Sequence, residues 1–207
     1  MPLCPEKIIW EYALEWKKAN LRSSNSVNFS YTMLSWTMPP QSYYKLNIDG
    51  TRVSSSGMIG AGGVIRNHSE SWITGFQINL GVGAIDAEAW GLFHGLKLAS
   101  NLHIPKLEIE SDSAILVHLM KSANLSLHPL GSLLNGCKSM MSQMDDVKLS
   151  HVFRESNMTA DVLAKCSISN DLGLIFFEEL PAHAILVFLD DLVAVTRARR
   201  TGFCFSL

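Results

Sequence analysis

Three β-rich runs follow one another near the middle of the chain before any helical pattern begins there. They cover residues 43–49, 58–67 and 71–80, and short polar turns separate them. Apolar and polar residues alternate in the first run, as in a strand of a packed sheet. Strands in direct succession, joined by short turns, predict an antiparallel meander. The sheet is therefore expected to begin with three strands.

The remaining pattern alternates helices with strands. A helix is predicted from Ala84 to about Asn101, where Ala84, Glu88, Leu92, Leu96 and Ala99 fall on one stripe. The elements predicted after it are a strand KLEIE after Pro105, a helix from near Ser111 or Asp112, a helix between Pro129 and Met144, a strand VKLSHVF, and a helix from Asn157 to about Ser167. The order is β-β-β-α-β-α-α-β-α. Helical crossovers imply parallel pairing of the later strands, so an α/β fold with a mixed sheet is predicted.

Length and charge limit the function classes. The chain has 207 residues, with 17 Lys and Arg against 19 Asp and Glu, a net charge of −2. This balance excludes a protein that grips nucleic acid mainly by bulk positive charge, but it allows a nucleic-acid enzyme. Four scattered cysteines form no CxxC pair, which argues against a zinc or redox motif.

The ends of the chain differ from its middle. Residues 1–40 are predicted to be an N-terminal extension and linker, with an amphipathic helix at 8–20 and a Ser/Asn-rich stretch after it. The folded domain is predicted at 41–168, followed by a tail at 169–207 that is partly helical and packs on the domain. The N-terminus lacks the apolar run of a signal peptide, and the apolar stretch 182–195 is too short to span a bilayer. We therefore expect a soluble intracellular protein, with no membrane partner.

Four carboxylates stand in four different predicted elements, and each has an ordinary structural explanation. Asp49 could begin an Asp-Gly turn with Gly50. Glu88 could reach solvent from the edge of its helical stripe, and Asp112 could cap a helix. Asp161 could be stabilised by the positive N-terminal end of its helix. These separate explanations do not account for the positions of the four carboxylates taken together. A mixed sheet could bring all four side chains to one end of the sheet.

Carboxylates without His or Cys suit hard cations such as Mg²⁺ or Mn²⁺. Several carboxylates can hold two ions about 4 Å apart, and such a pair activates water and stabilises a leaving oxygen. The chemistry that this pattern indicates is hydrolysis of a phosphodiester.

The sequence resembles the type 1 ribonuclease H family, and more closely its plant retrotransposon-derived branch. The matching strings are KLNIDGT, AGGVIRN, AEAWGL with GLKLA, LEIESDS and HVFRESNMTADVLAK. They occur in the family's order across residues 43 to about 168, and the four acids fall at the family's motif positions. Residues 36–40 and 176–200 are also similar to the segments that flank this domain in plant relatives.

The resemblance implies a five-stranded mixed sheet with helices on both faces, and cleavage of the RNA strand of RNA–DNA hybrids with two Mg²⁺ ions. It implies that Asp49 bridges both ions, that Glu88 and Asp112 bind one, and that Asp161 binds the other. Contacts with RNA 2′-hydroxyls and phosphates are expected near the candidate substrate-binding residues. These residues are Asn47, Gly50, Thr51, Arg154 and Asn157.

Two departures from the family pattern keep other functions open. Arg154 stands where bacterial relatives have a mobile histidine, and an arginine cannot relay a proton near neutral pH. A basic protrusion is also missing, because residues 119–144 contain only Lys121 and Lys138 as Lys or Arg. The alternatives are a weak or inactive nucleic-acid-binding remnant of a retrotransposon, and a protein-interaction module. A monomer is expected, and the N-terminal residues are consistent with origin in a larger reverse-transcriptase polyprotein.

Overall fold

The computed structural model describes residues 29–83, 86–122, 125 and 128–202. The predicted helix at 8–20 lies outside the described residues, as do Cys4 and Cys204. The strands are β1 Phe29–Leu34, β2 Tyr44–Arg52, β3 Met58–Asn67, β4 Trp72–Val82, β5 Lys106–Ser111, β6 Asp146–His151, β7 Gly173–Phe177 and β8 Arg197–Gly202. The α-helices are α1 Ala87–Asn101, α2 Ala114–Lys121, α3 Gly131–Met141, α4 Met158–Ser167 and α5 Ile185–Leu192. Short 3₁₀ turns occupy Arg154–Ser156 and Ala182–Ala184.

Between β2 and α4 the observed element order is the predicted β-β-β-α-β-α-α-β-α. The main sheet has the strand order β6-β5-β2-β3-β4-β7. The pairs β2–β3, β3–β4 and β4–β7 are antiparallel, whereas β2–β5 and β5–β6 are parallel. The predicted mixed α/β sheet is thus confirmed. It has six strands instead of five, because residues 173–177, which were assigned to a tail, pair with β4.

Helices cover both faces of the central strands. Leu46 and Ile48 point toward α1, where a Cβ on Gly95 would lie 2.7 Å from the Leu46 side chain. On the other face, a Cβ on Gly62 would lie 2.5 Å from a backbone nitrogen of α4. These small residues let both helices approach the sheet closely, and the side chains between the layers are buried. Each buried Leu or Ile contributes about 1.5–3 kcal/mol of transfer free energy.

Residues Leu34–Arg197 form one compact unit, which contains the six-stranded sheet and the five α-helices of the described residues. Strands β1 and β8 pair with each other in a separate two-stranded sheet. The domain boundaries proposed after residues 40 and 168 stay predictions. Within the described ranges, no helix has the length and apolar character needed to cross a membrane.

Candidate metal centre

Asp49 lies inside a strand and not in a turn. Strand β2 continues to Arg52, and Asp49 and Gly50 pair in register with Gly62 and Ala61 of β3. The Asp-Gly turn offered as an ordinary explanation for Asp49 is therefore wrong. Asp49 is only 5% exposed, and its Oδ1 accepts a hydrogen bond of 2.9 Å from the Gly50 amide.

Glu88 enters the site from the first turn of α1. The Asp86 side chain caps this helix by accepting a hydrogen bond of 3.2 Å from the Ala89 amide. Gly50 lets the helix start approach β2, because a Cβ there would lie 2.5 Å from the Glu88 nitrogen. Glu88 is half-buried, and its Oε2 accepts a hydrogen bond of 3.0 Å from the Ser111 hydroxyl.

Asp112 directly follows β5, the strand that pairs in parallel with β2. The residue that caps α2 is Ser113, whose hydroxyl accepts a hydrogen bond of 3.2 Å from the Leu116 amide. The ordinary explanation of Asp112 as a helix cap is therefore wrong, because the capping residue is the next one along the chain. Asp112 instead lines the cleft at the carboxyl ends of β2 and β5.

These three acids converge. Asp49, Glu88 and Asp112 each offer a carboxylate oxygen, and the three oxygens lie within 4.8 Å of one another. Burial, followed by repulsion from Glu88, Asp112 and Asp161, raises the pKa of Asp49 to about 10. Burial and the charge of Asp112 likewise raise the pKa of Glu88 to about 7, although hydrogen bonds to Asp49, Ser111 and Gly50 oppose this rise. The cluster thus holds more negative charge than the protein compensates.

Asp161 faces the same cleft from the first turn of α4, but it is not one of the three clustered acids. Its carboxylate is buried and pairs with two cations of the chain. Arg154 pairs with its Oδ1, and the Lys165 ammonium donates a hydrogen bond of 2.7 Å to its Oδ2. The hydrogen bond and charge of Asp161 raise the pKa of Arg154. Among the described residues, Asp161 therefore has two ion-pair partners, whereas Asp49, Glu88 and Asp112 have none.

The cleft has a volume of about 480 Å³. Its lining residues are Asp49, Gly50, Thr51, Arg52, Glu88, Asp112, Ser113, Arg154, Asp161 and Lys165. Of the expected substrate-binding residues, Gly50, Thr51 and Arg154 thus line the cleft. Sequence reasoning missed Arg52, Ser113 and Lys165, although the spacing of Lys165 four residues after Asp161 signals an ion pair on one helical face.

Asn47 and Asn157 lie behind the cleft and are buried, with 0% and 1% exposure. The Asn47 amide donates hydrogen bonds to Glu110 at 2.9 Å and to Asn157 at 3.1 Å. The Asn157 amide donates a hydrogen bond of 2.8 Å to the Ile48 carbonyl. The structure therefore places these two side chains among protein groups, behind the surface of the cleft.

The donor set fits a hard divalent cation. The three clustered ligands are carboxylate oxygens, the donors that Mg²⁺ and Mn²⁺ prefer. Burial and the neighbouring acids raise the pKa values of Asp49 and Glu88, and a divalent cation held between these carboxylates would offset their repulsion. Asp49, Glu88 and Asp112 are thus the residues suited to bind a metal ion.

Comparison with known proteins agrees with this geometry. Residues 47–167 match the sequence pattern of the family described as reverse transcriptase-like. The chain belongs to this family. The matched segment begins at Asn47 in β2 and ends at Ser167, the last residue of α4, so it includes all four acids. Membership of this family confirms the resemblance of the sequence motifs to those of ribonuclease H-like domains.

A relative and two solved structures extend this reverse transcriptase-like assignment. An Arabidopsis thaliana protein whose name describes it as a ribonuclease H protein is 33% identical over 201 residues. The match covers 94% of this chain and 32% of that protein, so the chain spans about a third of its relative.

Solved structures show the fold. The N-terminal ribonuclease H domain of a Mycobacterium tuberculosis protein has a TM-score of 0.56 and 24% identity, over 61% of this chain and 94% of that one. The ribonuclease H1 called LC11, solved in complex with an RNA/DNA hybrid, has a TM-score of 0.54 and 19% identity, over 61% and 96%. The chain has the ribonuclease H fold.

Proposed function

We propose that this protein is a metal-dependent endonuclease that hydrolyses the RNA strand of RNA–DNA hybrids. The observation that carries the proposal is the convergence of Asp49, Glu88 and Asp112 within 4.8 Å in a chain with the ribonuclease H fold. The hybrid bound to LC11 and the name of the Arabidopsis relative support this substrate class.

The four acids have distinct places in this proposal. Asp49, Glu88 and Asp112 would hold one Mg²⁺ ion, and Asp49 together with Asp161 would hold a second; Mn²⁺ suits the same oxygen donors. When bound, the ions supply acidification of the attacking water and neutralisation of charge on the leaving oxygen. Ser111 orients Glu88 through its hydroxyl, and the Gly50 amide orients Asp49.

Three cations of the cleft suit a phosphate backbone. Arg52, Arg154 and Lys165 line it, and the Arg154 and Lys165 side chains are 53% and 52% exposed. Both side chains stay partly accessible to solvent while they pair with the buried Asp161, so their remaining N–H groups can also donate to a phosphate oxygen. An arginine can bind a phosphate through two parallel hydrogen bonds. We propose that Arg154 positions the RNA strand and takes no part in proton transfer.

A cleavage assay tests the proposal. The protein is incubated with a hybrid labelled on the RNA strand and with Mg²⁺, and the variants Asp49→Asn and Glu88→Gln are compared with it. Cutting of the RNA strand that stops with EDTA and with either variant is expected. The exposed Glu178→Gln serves as a charge-matched control that retains activity. Cutting that survives Asp49→Asn would show that another nuclease or another site is responsible.

One observation favours a second candidate, a nucleic-acid-binding protein without cleavage. Asp161 already has two cationic partners, and these compete with a second metal ion. In that case the protein binds hybrid and one metal ion per chain but leaves the RNA intact. The same assay, combined with a hybrid-binding measurement, separates the two candidates.

A further inference from the structure

Arg66 is a charged residue at the centre of the molecule. It lies on β3, and its side chain is fully buried. Its guanidinium donates hydrogen bonds of 2.9 Å to Asp191 and of 3.1 Å to the Asn47 side-chain oxygen. The guanidinium carbon also lies 3.8 Å from the centre of the Trp36 ring. Arg66 thus joins a C-terminal residue to the strand that bears Asp49.

Asp191 belongs to α5, outside the segment that matches the reverse transcriptase-like family. It is 3% exposed, and its Oδ2 accepts hydrogen bonds from Arg66 and, at 2.8 Å, from the Thr159 hydroxyl of α4. The adjacent Asp190 is different. Its side chain is 46% exposed and pairs with Arg197 at 2.9 Å.

The polar connection continues from Arg66 to the metal centre. The Asn47 oxygen accepts hydrogen bonds from Arg66 and Trp36, and its amide donates to Glu110 and Asn157, so all of its polar groups are used. Asn47 therefore has one orientation, and this orientation fixes Asn157.

Asn157 in turn links the two elements that carry Asp49 and Asp161. Its amide donates a hydrogen bond of 2.8 Å to the carbonyl of Ile48, the residue before Asp49. The backbone carbonyl of Asn157 accepts a hydrogen bond of 3.1 Å from the backbone N–H of Asp161. The separation of the two carboxylate-bearing elements thus depends on the placement of Asn157.

The Arg66–Asp191 pair is a costly way to hold α5 in place. Burial lowers the pKa of Arg66, although Asp191 opposes this shift. Arg66 Nε and Asp191 Oδ1 are buried atoms without a hydrogen-bond partner within the described part of the chain. Well-packed apolar residues of similar volume commonly stabilise a protein as well as such a pair or better. Stability alone therefore does not account for it.

We infer that Asp191, acting through Arg66, Asn47 and Asn157, is a positioning residue for the metal centre. The C-terminal segment thus sets the geometry of Asp49 and Asp161, although none of its described residues lines the cleft. This inference rests on the metal centre of the proposed function, but it adds a dependence on residues outside the matched segment.

Three variants test it. Asp191→Asn removes the charge while keeping an acceptor for Thr159, and Asp190→Asn makes the same charge change one residue away. The double variant Arg66→Met with Asp191→Leu replaces the pair by apolar groups, so that it leaves no uncompensated charge in the core. Mn²⁺ affinity is measured by calorimetry, the free energy of unfolding by urea titration, and the placement of Asn47 and Asn157 by NMR signals of their side-chain amides.

The expected result separates positioning from stability. Asp191→Asn and the double variant should weaken Mn²⁺ binding by about tenfold or more, as losses of supporting hydrogen bonds do. They should also shift the Asn47 and Asn157 amide signals, and the double variant should do so with a smaller loss of stability than Asp191→Asn, which leaves the Arg66 charge buried and unpaired. Asp190→Asn should change Mn²⁺ affinity by less than about twofold, because it disrupts only an exposed pair.

A folded double variant with unshifted amide signals and the Mn²⁺ affinity of the parent would overturn the inference. Loss of affinity that only follows loss of stability across the variants would overturn it as well. The outcome is independent of cleavage. If the parent binds Mn²⁺ but does not cut hybrid, the proposed function fails, and the affinities of the variants still decide the role of Asp191.

Discussion

The raised pKa of Glu88 predicts how the stability of the metal-free protein depends on pH. The pKa rises from 4.5 to about 7 on folding, chiefly because the carboxyl is buried. The folded protein therefore holds a proton that the unfolded chain has already lost in this interval. Stability is lost as pH rises from about 4.5 to 7, because the unfolded chain then binds fewer protons than the folded protein.

The size of this effect follows from the same interval. One pKa unit corresponds to about 1.4 kcal/mol, so the rise of the Glu88 pKa corresponds to a loss of roughly 3 kcal/mol between pH 4.5 and 8. Asp49 adds a loss of the same sign, since its pKa is also raised. Glu88→Gln removes the first contribution and reduces the second, because Glu88 is one of the charges that raise the Asp49 pKa.

Urea unfolding in EDTA at pH 4.5 and pH 8 measures the prediction. Between these values the parent should lose on the order of 3 kcal/mol more stability than Glu88→Gln does. The exposed Glu178→Gln should lose as much as the parent. At pH 8, Mg²⁺ at a hundred times its dissociation constant should restore about 2.7 kcal/mol to the parent. Equal losses in the parent and Glu88→Gln would refute the assignment of buried, uncompensated charge to this site.

Three further outcomes follow from the cleft. Metal affinity should rise as the pH rises toward about 10, because Asp49 and Glu88 must lose their protons to bind a cation. Calorimetry at pH 6 and pH 8 measures the change in affinity. Uptake of protons on metal binding would contradict the prediction. Gly50→Ala should cost about 1–3 kcal/mol in urea unfolding and weaken Mn²⁺ binding, because its methyl group would lie 2.5 Å from the Glu88 nitrogen. Arg154→Gln should weaken hybrid binding and lower the slope of log affinity against log salt by about 1, whereas Lys121→Gln, outside the cleft, should change neither.

Periodicity predicted the middle of the chain well because its elements have strong local signals. The meander runs have the period of strands, and α1 has an apolar stripe that its buried face matches. Strand β7 was missed for a physical reason. Its residues 173–177 are mostly apolar, and such a short run is equally compatible with a helix until its pairing with β4 is known.

The candidate site was predictable as a set of acids but less so in its surroundings. Asn47 was expected to contact substrate only because the resemblance to ribonuclease H domains implies contacts near it. In the structure β2 is a central strand with helices on both faces, so Asn47 is buried and its polar groups bond within the protein. The pairing of Arg66 with Asp191 joins residues 125 positions apart, and no local pattern contains that information.

The buried polar side of β2 shows why the acid cluster suits a cation. Lys45 pairs with Glu110 at 2.5 Å, and two positions later Asn47 accepts a hydrogen bond from Arg66. Asp49, two positions further, faces Glu88 and Asp112, and no described residue forms an ion pair with it. Charge along this strand is thus compensated by the protein until it reaches the cleft, where like charges meet. Burying such acids destabilises the metal-free fold. A bound divalent ion removes this repulsion, so that relief of the repulsion contributes to the affinity for the ion.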